Sequence, residues 1–209
     1  YTTAMTHTSV AVIDEFASKV FSFEAAAQHC DVRAGHGEVS VVDKVVGFKK
    51  IKFHTHENTG HGEVKLPQMQ MHTSSVFFTF PNNWIERQPL ARAVVLDILR
   101  GFAKALHTVA AVGLMTDPRD LGHTLGEHDP IGGQTKKIAG QAPLFDPTIF
   151  IYDKMPGGVG LASRLYTLNQ ELFSRAHQLI EGCDCNTGCP LCIGPQTSNE
   201  IDDSRKKLF

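Results

Sequence analysis

The chain has 209 residues, 42% of them hydrophobic and 20% charged, so it is long enough to bury a core and is neither disordered nor fibrous in composition. Its 20 Lys and Arg against 22 Asp and Glu give a formal charge of -2, which excludes the global basic field of many nucleic-acid-binding proteins. The uncharged helical stretch Ala105–Met115 is far shorter than the roughly 20 apolar residues of a membrane span, so no membrane contact is expected.

The first residue and the cysteines indicate what kind of polypeptide and which compartment the chain comes from. Tyr1 stands in place of an initiator Met and no signal pattern follows, which indicates a piece of a longer polypeptide. Four of the five cysteines lie between Cys183 and Cys192. This odd, clustered set favours metal binding in a reducing, cytoplasmic compartment over a disulfide framework. Cys30, far from the cluster, is expected to be a buried small hydrophobe.

The first part of the chain, residues 1–82, is predicted to be β-rich. Short runs of Val, Phe, Ile and Thr between Val10 and Pro81 alternate with Gly-containing turns, which predicts an antiparallel meander or a small barrel. Residues 48–53, including Lys52, are among the expected strand centres. A short helical turn is predicted at Ala25–His29.

The second part is predicted to be mainly helical. Apolar residues at helical spacing predict a half-buried helix over Leu90–Met115, within a helical part at 83–120. Residues 121–147, rich in Gly and Pro, are predicted to be a long loop. Thr148–Asp153 reads as a buried strand, and a second long helix is expected from Leu161 to Gly182. Together, 1–209 are interpreted as one composite α+β domain, in which 148–209 form a strand, a helix and a zinc-binding end.

The strongest chemical signal is the cysteine cluster, formed by Cys183, Cys185, Cys189 and Cys192. Four thiolates can close a tetrahedral shell around one zinc ion, and the small residues between them let the segment turn back on itself. A zinc ion with four sulfur ligands has no open position for water, so this site is expected to be structural. An iron–sulfur cluster and a Cys189–Cys192 redox pair are the alternatives.

Two weaker signals could indicate contact with phosphates. The turn Pro156–Gly160, with Gly157 and Gly158, precedes a helix that carries Arg164, and such turns can bind anions. The alternative is that its glycines only permit a tight turn. Lys44, Lys49, Lys50 and Lys52 form a local basic run, in which Lys50 and Lys52 would share one strand face and could contact the phosphates of a nucleic acid. A solvated face guarding a sheet edge is equally compatible with that run.

Other polar clusters give weaker indications of function. His54, His56 and His61 with Glu57 match no standard metal spacing, and Asp117, Arg119 and Asp120 favour local capping rather than catalysis. The sequence contains no nucleophile elbow and no ATPase motif, so no catalytic residue is assigned and the chain is not expected to be an enzyme by itself.

Several short motifs occur in the order found in one known family. The chain resembles the zinc-binding C-terminal domain of MrfA-type DNA helicases, on the following stretches: Val45–Ile51, Thr55–Asn58 with Gly60, Met71–Thr73, Asp117–Gly122, Ile149–Asp153, Pro156–Ala162 and the four cysteines. The resemblance implies a superfamily-two helicase in DNA repair, whose two RecA-like motor lobes bind ATP and magnesium and translocate 3′ to 5′ on single-stranded DNA. It also implies that the cysteines hold one structural zinc ion.

The motor lobes are not among these 209 residues, so the resemblance implies an accessory domain that braces the motor and helps guide DNA. Two alternatives remain: a zinc-binding subunit that works with a separate helicase, and a stand-alone enzyme for a phosphorylated substrate.

Overall fold

The computed structural model describes residues 1–25, 28–55, 57–126, 146–186 and 188–194. Six strands form one sheet: β1 (Thr2–Ala25), β2 (Gln28–Ile51), β3 (Asn58–Glu63), β4 (Met69–Thr79), β5 (Leu121–Gly126) and β6 (Thr148–Asp153). Within the described residues, four helices accompany it: α1 (Asn82–Glu86), α2 (Arg92–Leu114), α3 (Leu161–Thr167) and α4 (Asn169–Glu181). The α+β class with a β-rich first part is confirmed.

All the strand pairs in this sheet are antiparallel, in the order β1-β2-β4-β6-β5, and β3 pairs with the far end of β2. The helical turn predicted at Ala25–His29 is wrong, because Ala25 pairs with Gln28 across the hairpin between β1 and β2. The strand predicted to reach Phe53 ends at Ile51.

The sheet has a buried surface on both faces, because apolar residues occur in succession along its central strands. On β4, Val76 and Phe78 join the larger core with α2 and α4, while Phe77 between them belongs to a smaller cluster on the opposite face. That smaller cluster is made by six buried residues: Val10, Val39, Val41, Phe77, Phe150 and Tyr152.

Residues 121–147 were predicted to be a loop, and for their first six residues this is wrong. These six form β5, which pairs with β6 along its whole length. Two of the five glycines that suggested a loop have a packing role instead. A Cβ at Gly122 would collide with the ring of Tyr152, and one at Gly126 would lie 3.0 Å from the ring of Phe150. Of the rest of the predicted loop, residues 127–145 lie outside the described residues.

The helix predicted at Leu90–Met115 is confirmed as α2, which ends at Met115 in a left-handed conformation. The second predicted helix is two helices, α3 and α4, that meet at Leu168. Hydrophobic side chains of α2 and α4 pack on the sheet and on each other around Phe102 and Phe173. None of the described helices is long and apolar enough to cross a membrane.

Candidate metal centre and nucleic-acid surfaces

The cysteine cluster begins directly after α4. The helix is capped by Gly182, and Cys183 and Cys185 follow at its end. The chain then reverses through Gly188, whose φ of 97° is in the left-handed region that favours glycine. Cys189 and Cys192 lie in the short turn after it, where the Cys192 N–H donates to the Cys189 carbonyl over 3.2 Å. We call residues 182–194 the zinc tip.

The four sulfur atoms form a compact group, all within 4.8 Å of one another. The Cys183 and Cys189 sulfurs are 3.6 Å apart, as are those of Cys185 and Cys192, and the Cys189 and Cys192 sulfurs are 3.8 Å apart. A disulfide needs about 2.05 Å, so these are free thiols. A tetrahedral ion with zinc–sulfur bonds of about 2.3 Å has sulfurs about 3.8 Å apart. The geometry therefore fits zinc.

The electrostatics of the cluster also favour a bound cation. The nearby backbone groups of Cys192 and Leu191 lower the pKa of the Cys189 thiol to about 6, which favours the metal-binding thiolate. Burial instead raises the pKa of Cys192 to about 12, since this sulfur lies in the core with 2% of the residue exposed. A divalent cation compensates the cost of a buried thiolate. With four sulfur ligands, the ion would hold the tip together and catalyse nothing.

The zinc tip docks on the body through its last residues. Ile193 packs on the middle of α2, where a Cβ added to Gly101 would lie only 3.1 Å from the Ile193 Cβ. Cys192 and Ile193 both belong to the larger core. The metal site and the core of the domain are therefore joined at α2. Cys30 lies elsewhere in that core, 1% exposed, and burial raises the pKa of its thiol to about 12, as predicted for a buried small hydrophobe.

The glycine turn that was considered for anion binding has its backbone donors engaged inside the chain. Val159 N and Gly160 N donate to the Asp153 carboxylate over 2.7 and 3.1 Å, Gly157 N to the His72 carbonyl and Gly158 N to the Met155 carbonyl. Asp153 is fully buried at the end of β6. Its carboxylate thus occupies the position that an anion would take beside Val159 and Gly160.

These contacts favour the interpretation that the glycines serve a tight turn, with Gly157 and Gly158 at φ of 78° and 73°. Arg164 is exposed on α3, a helix of seven residues. Phosphate contact by Gly157, Gly158 and Arg164 stays a prediction. The role of Asp153 had a signal in the sequence, because an acidic residue stands there at the end of an otherwise apolar strand.

The lysine run lies at the far end of β2, between β1 and β3. Lys49 and Lys50 are exposed on the strand, and the Lys50 ammonium is 6.0 Å from the ring centre of Phe48. Lys52 follows the end of the strand, so the prediction that it shares a strand face with Lys50 is wrong. Its Nζ instead lies 2.7 Å from a carboxylate oxygen of Glu57. A DNA contact by Lys49, Lys50 and Lys52 stays a prediction.

The remaining polar clusters are structural or undescribed. Asp117 accepts a hydrogen bond of 2.8 Å from the Arg119 N–H, which is the predicted local capping. His56 lies outside the described residues. Among the described residues, the four cysteines form the one group of three or more potential metal ligands, and neither His54 nor His61 belongs to it.

A pair of histidines that sequence reasoning missed lies between α2 and β5. The rings of His107 and His123 are 4.6 Å apart. Burial, followed by the nearby His107, lowers the pKa of His123 to about 3, and burial also lowers the pKa of His107. Both imidazoles are therefore neutral at pH 7.

Comparisons with known proteins agree with this picture. Residues 102–193 match the family model of the MrfA Zn-binding domain. The chain is 32% identical over 135 residues to the uncharacterized ATP-dependent helicase YprA of Bacillus subtilis, covering 63% of this chain and 16% of that protein. It is 47% identical over 45 residues to an uncharacterized protein of Methanocaldococcus jannaschii, covering 22% of this chain and 40% of that protein.

Two solved structures of the DUF1998 helicase MrfA share the fold. One, bound to DNA, has a TM-score of 0.64 at 27% identity and covers 99% of this chain and 24% of that one. The other, bound to DNA and AMPPNP, has a TM-score of 0.53 and covers 99% and 22%. The chain thus spans a quarter or less of the helicases it matches. Residues 102–193, from within α2 to the zinc tip, are similar to the MrfA Zn-binding domain, and the chain shares its fold with part of the helicase MrfA.

Proposed function

We propose that the chain is the C-terminal zinc-binding accessory domain of an ATP-dependent 3′–5′ DNA helicase that acts in DNA repair. The observation that carries the proposal is the compact group of four thiols in a chain whose fold, over 99% of its length, matches part of a helicase solved with DNA. In this function the domain braces the RecA-like motor lobes of the same polypeptide and helps guide single-stranded DNA.

In this function, the zinc tip and the motor lobes have separate roles. The zinc ion fixes the tip against α2, where Cys192 and Ile193 enter the core. ATP and magnesium bind the motor lobes, so this chain alone hydrolyses no ATP. Four free thiols in one site also support a cytoplasmic, reducing location.

The first test is elemental analysis of the purified chain together with binding of a labelled single-stranded oligonucleotide at several salt concentrations. We expect one zinc per chain and an affinity that falls as salt rises, because contacts to phosphates release counterions. One zinc without DNA binding would refute the guiding role and leave a structural brace. Iron in place of zinc would refute the metal assignment.

The second test addresses the helicase. We expect the full-length polypeptide to hydrolyse ATP faster when single-stranded DNA is added, and this chain by itself to show no such activity. DNA-stimulated ATP hydrolysis by the isolated chain would refute the accessory role.

One observation favours a second candidate function, a zinc-binding subunit that works with a separate helicase. The matched 45 residues are 40% of the archaeal relative, which is therefore only about 110 residues long, the size of a single domain. A protein of that length has no room for two motor lobes. Finding this chain encoded without a motor, and co-purifying with a separate helicase, would support the subunit.

A further inference from the structure

A groove of about 700 Å³ lies between the zinc tip, α2, β5 and the start of β1. We call it the tip groove. Its walls come from segments distant in sequence, which explains why no sequence motif marks it. The lining residues used below are Arg100, Gly101, Ala103, Lys104, Thr124 and Ile193.

The rim of the tip groove is cationic. Arg100 is exposed and Lys104 half-buried, and the two lie four residues apart on α2, so their side chains project from the same side of the helix. The Thr124 hydroxyl and the exposed His7 add hydrogen-bonding groups. Asp97 contributes the single carboxylate among the described lining residues. Two cations with hydroxyl donors suit the phosphates of a nucleic-acid backbone.

The floor of the tip groove is apolar and made of small residues. Gly101 and Ala103 on α2 present little or no side chain, and the buried Ile193 packs on Gly101 and closes one side. Apolar lining next to a cationic rim suits one nucleotide, with its base against the apolar residues and its phosphate at the rim. Single strands offer such a base, whereas a duplex keeps its bases stacked.

The zinc tip builds one wall of the groove. Ile193 and Gly194 follow the last ligand, Cys192, without a break. A Cβ at Gly194 would lie 3.0 Å from the Cγ of Lys104, so the tip backbone lies directly against the stem of this lysine. The metal therefore fixes the wall that flanks Lys104.

We propose that the tip groove binds a nucleotide unit of single-stranded DNA, with Arg100 and Lys104 on its phosphates and the zinc tip as its closing wall. This inference rests on the proposed function, in which the domain contacts single-stranded DNA, and it assigns that contact to residues other than Lys49, Lys50 and Lys52.

The test compares three double variants of the chain by anisotropy of a labelled single-stranded oligonucleotide over a salt series. The groove variant is Arg100→Ala with Lys104→Ala, and the strand variant is Lys49→Ala with Lys50→Ala. The matched control is Lys65→Ala with Arg119→Ala, which removes two exposed cations elsewhere. Zinc content and thermal melting establish that each variant is folded.

We expect the groove variant to bind the single strand at least about 10-fold more weakly. The slope of the logarithm of the binding constant against the logarithm of the salt concentration should decrease in magnitude by about 1.4, because each phosphate contact to a single strand contributes about 0.7. The control should bind like the wild type. Zinc removal should weaken binding by the wild type but add little to the loss in the groove variant, since both changes disable one site.

Each other outcome overturns a defined part of the reasoning. If the strand variant loses affinity and the groove variant does not, the tip groove is not the DNA site, while the proposed function stands. The same conclusion follows if the groove variant binds DNA normally but no longer binds a labelled acidic peptide that the wild type binds in the same assay. If the wild type itself fails to bind single-stranded DNA, both the inference and the guiding role are refuted.

Discussion

Removal of one zinc ligand by Cys189→Ser should unfold the zinc tip and leave the rest of the domain folded. Ordering its roughly 13 residues costs on the order of 20 kcal/mol at about 1.5 kcal/mol per residue. The two tip residues buried in the core, Cys192 and Ile193, contribute about 5 kcal/mol together. Structural zinc contributes roughly 10–16 kcal/mol, which closes the difference. Without the ion, the tip lacks the apolar surface to stay ordered.

Zinc affinity and backbone hydrogen exchange measure this effect. The Ile193 N–H, which donates to the Cys189 carbonyl over 3.1 Å, should lose its protection in the variant, and amides of α2 should keep theirs. Zinc affinity should fall more than about 100-fold, beyond the loss typical for a residue that only supports a ligand. Chelation of the wild type should reproduce the same exchange pattern.

Cys30→Ala is the matched control, because this buried cysteine lies outside the cluster. It should lower the stability of the body and retain one zinc per chain. The reasoning is refuted if Cys189→Ser binds zinc with wild-type affinity and its tip amides stay protected. In that case three ligands and local packing would suffice to order the tip.

Three further predictions concern the body of the domain. Because the pKa of His123 is lowered to about 3 from an ordinary 6.5, its neutral form is favoured by folding, so stability is complete above pH 6.5 and falls as the pH drops towards 3. At pH 5 the loss from His123 is about 2 kcal/mol, and His123→Gln should reduce the stability difference between pH 7 and 5 in urea melts, with the contribution of His107 remaining. Asp153→Asn should destabilise by about 2 kcal/mol in the same assay, because the glycine turn loses its charged acceptor; an unchanged midpoint would contradict this. Gly122→Ala should cost about 1–3 kcal/mol by collision with Tyr152, whereas Gly113→Ala, with open space around it, should stabilise slightly.

Local chemistry explains what could be predicted from the sequence. The spacing of the four cysteines was sufficient to predict a metal site, because all its ligands lie within ten residues and the turn between them is short. The long helix at 92–114 was predictable for a similar reason, since its apolar period extends over several turns and Asp117-Pro118 follows its end.

The errors arose where distant residues decide the local structure. Gly122 and Gly126 suggested a loop, yet they lie in β5 because the rings of Tyr152 and Phe150 from the neighbouring strand fill the space that side chains would occupy. The break between α3 and α4 falls within a continuous leucine pattern. The break follows Thr167, whose hydroxyl donates to the Ser163 carbonyl over 3.2 Å. Such a bond to the preceding turn often bends a helix, and the spacing of apolar residues does not reveal it.

The position of α2 explains why a metal site and a candidate DNA site occur together in so small a domain. One side of the helix packs on the sheet and α4 through Phe102 and Leu106, in a part of the core that the tip does not form. Gly101, on the neighbouring side, admits Ile193 only because it has no side chain. Arg100 and Lys104 flank that contact and would otherwise extend from an open helix face. In the proposed function, zinc orders the tip against Gly101 and so makes two surface cations the rim of a groove. We therefore expect metal binding to affect DNA affinity without contact between the ion and DNA.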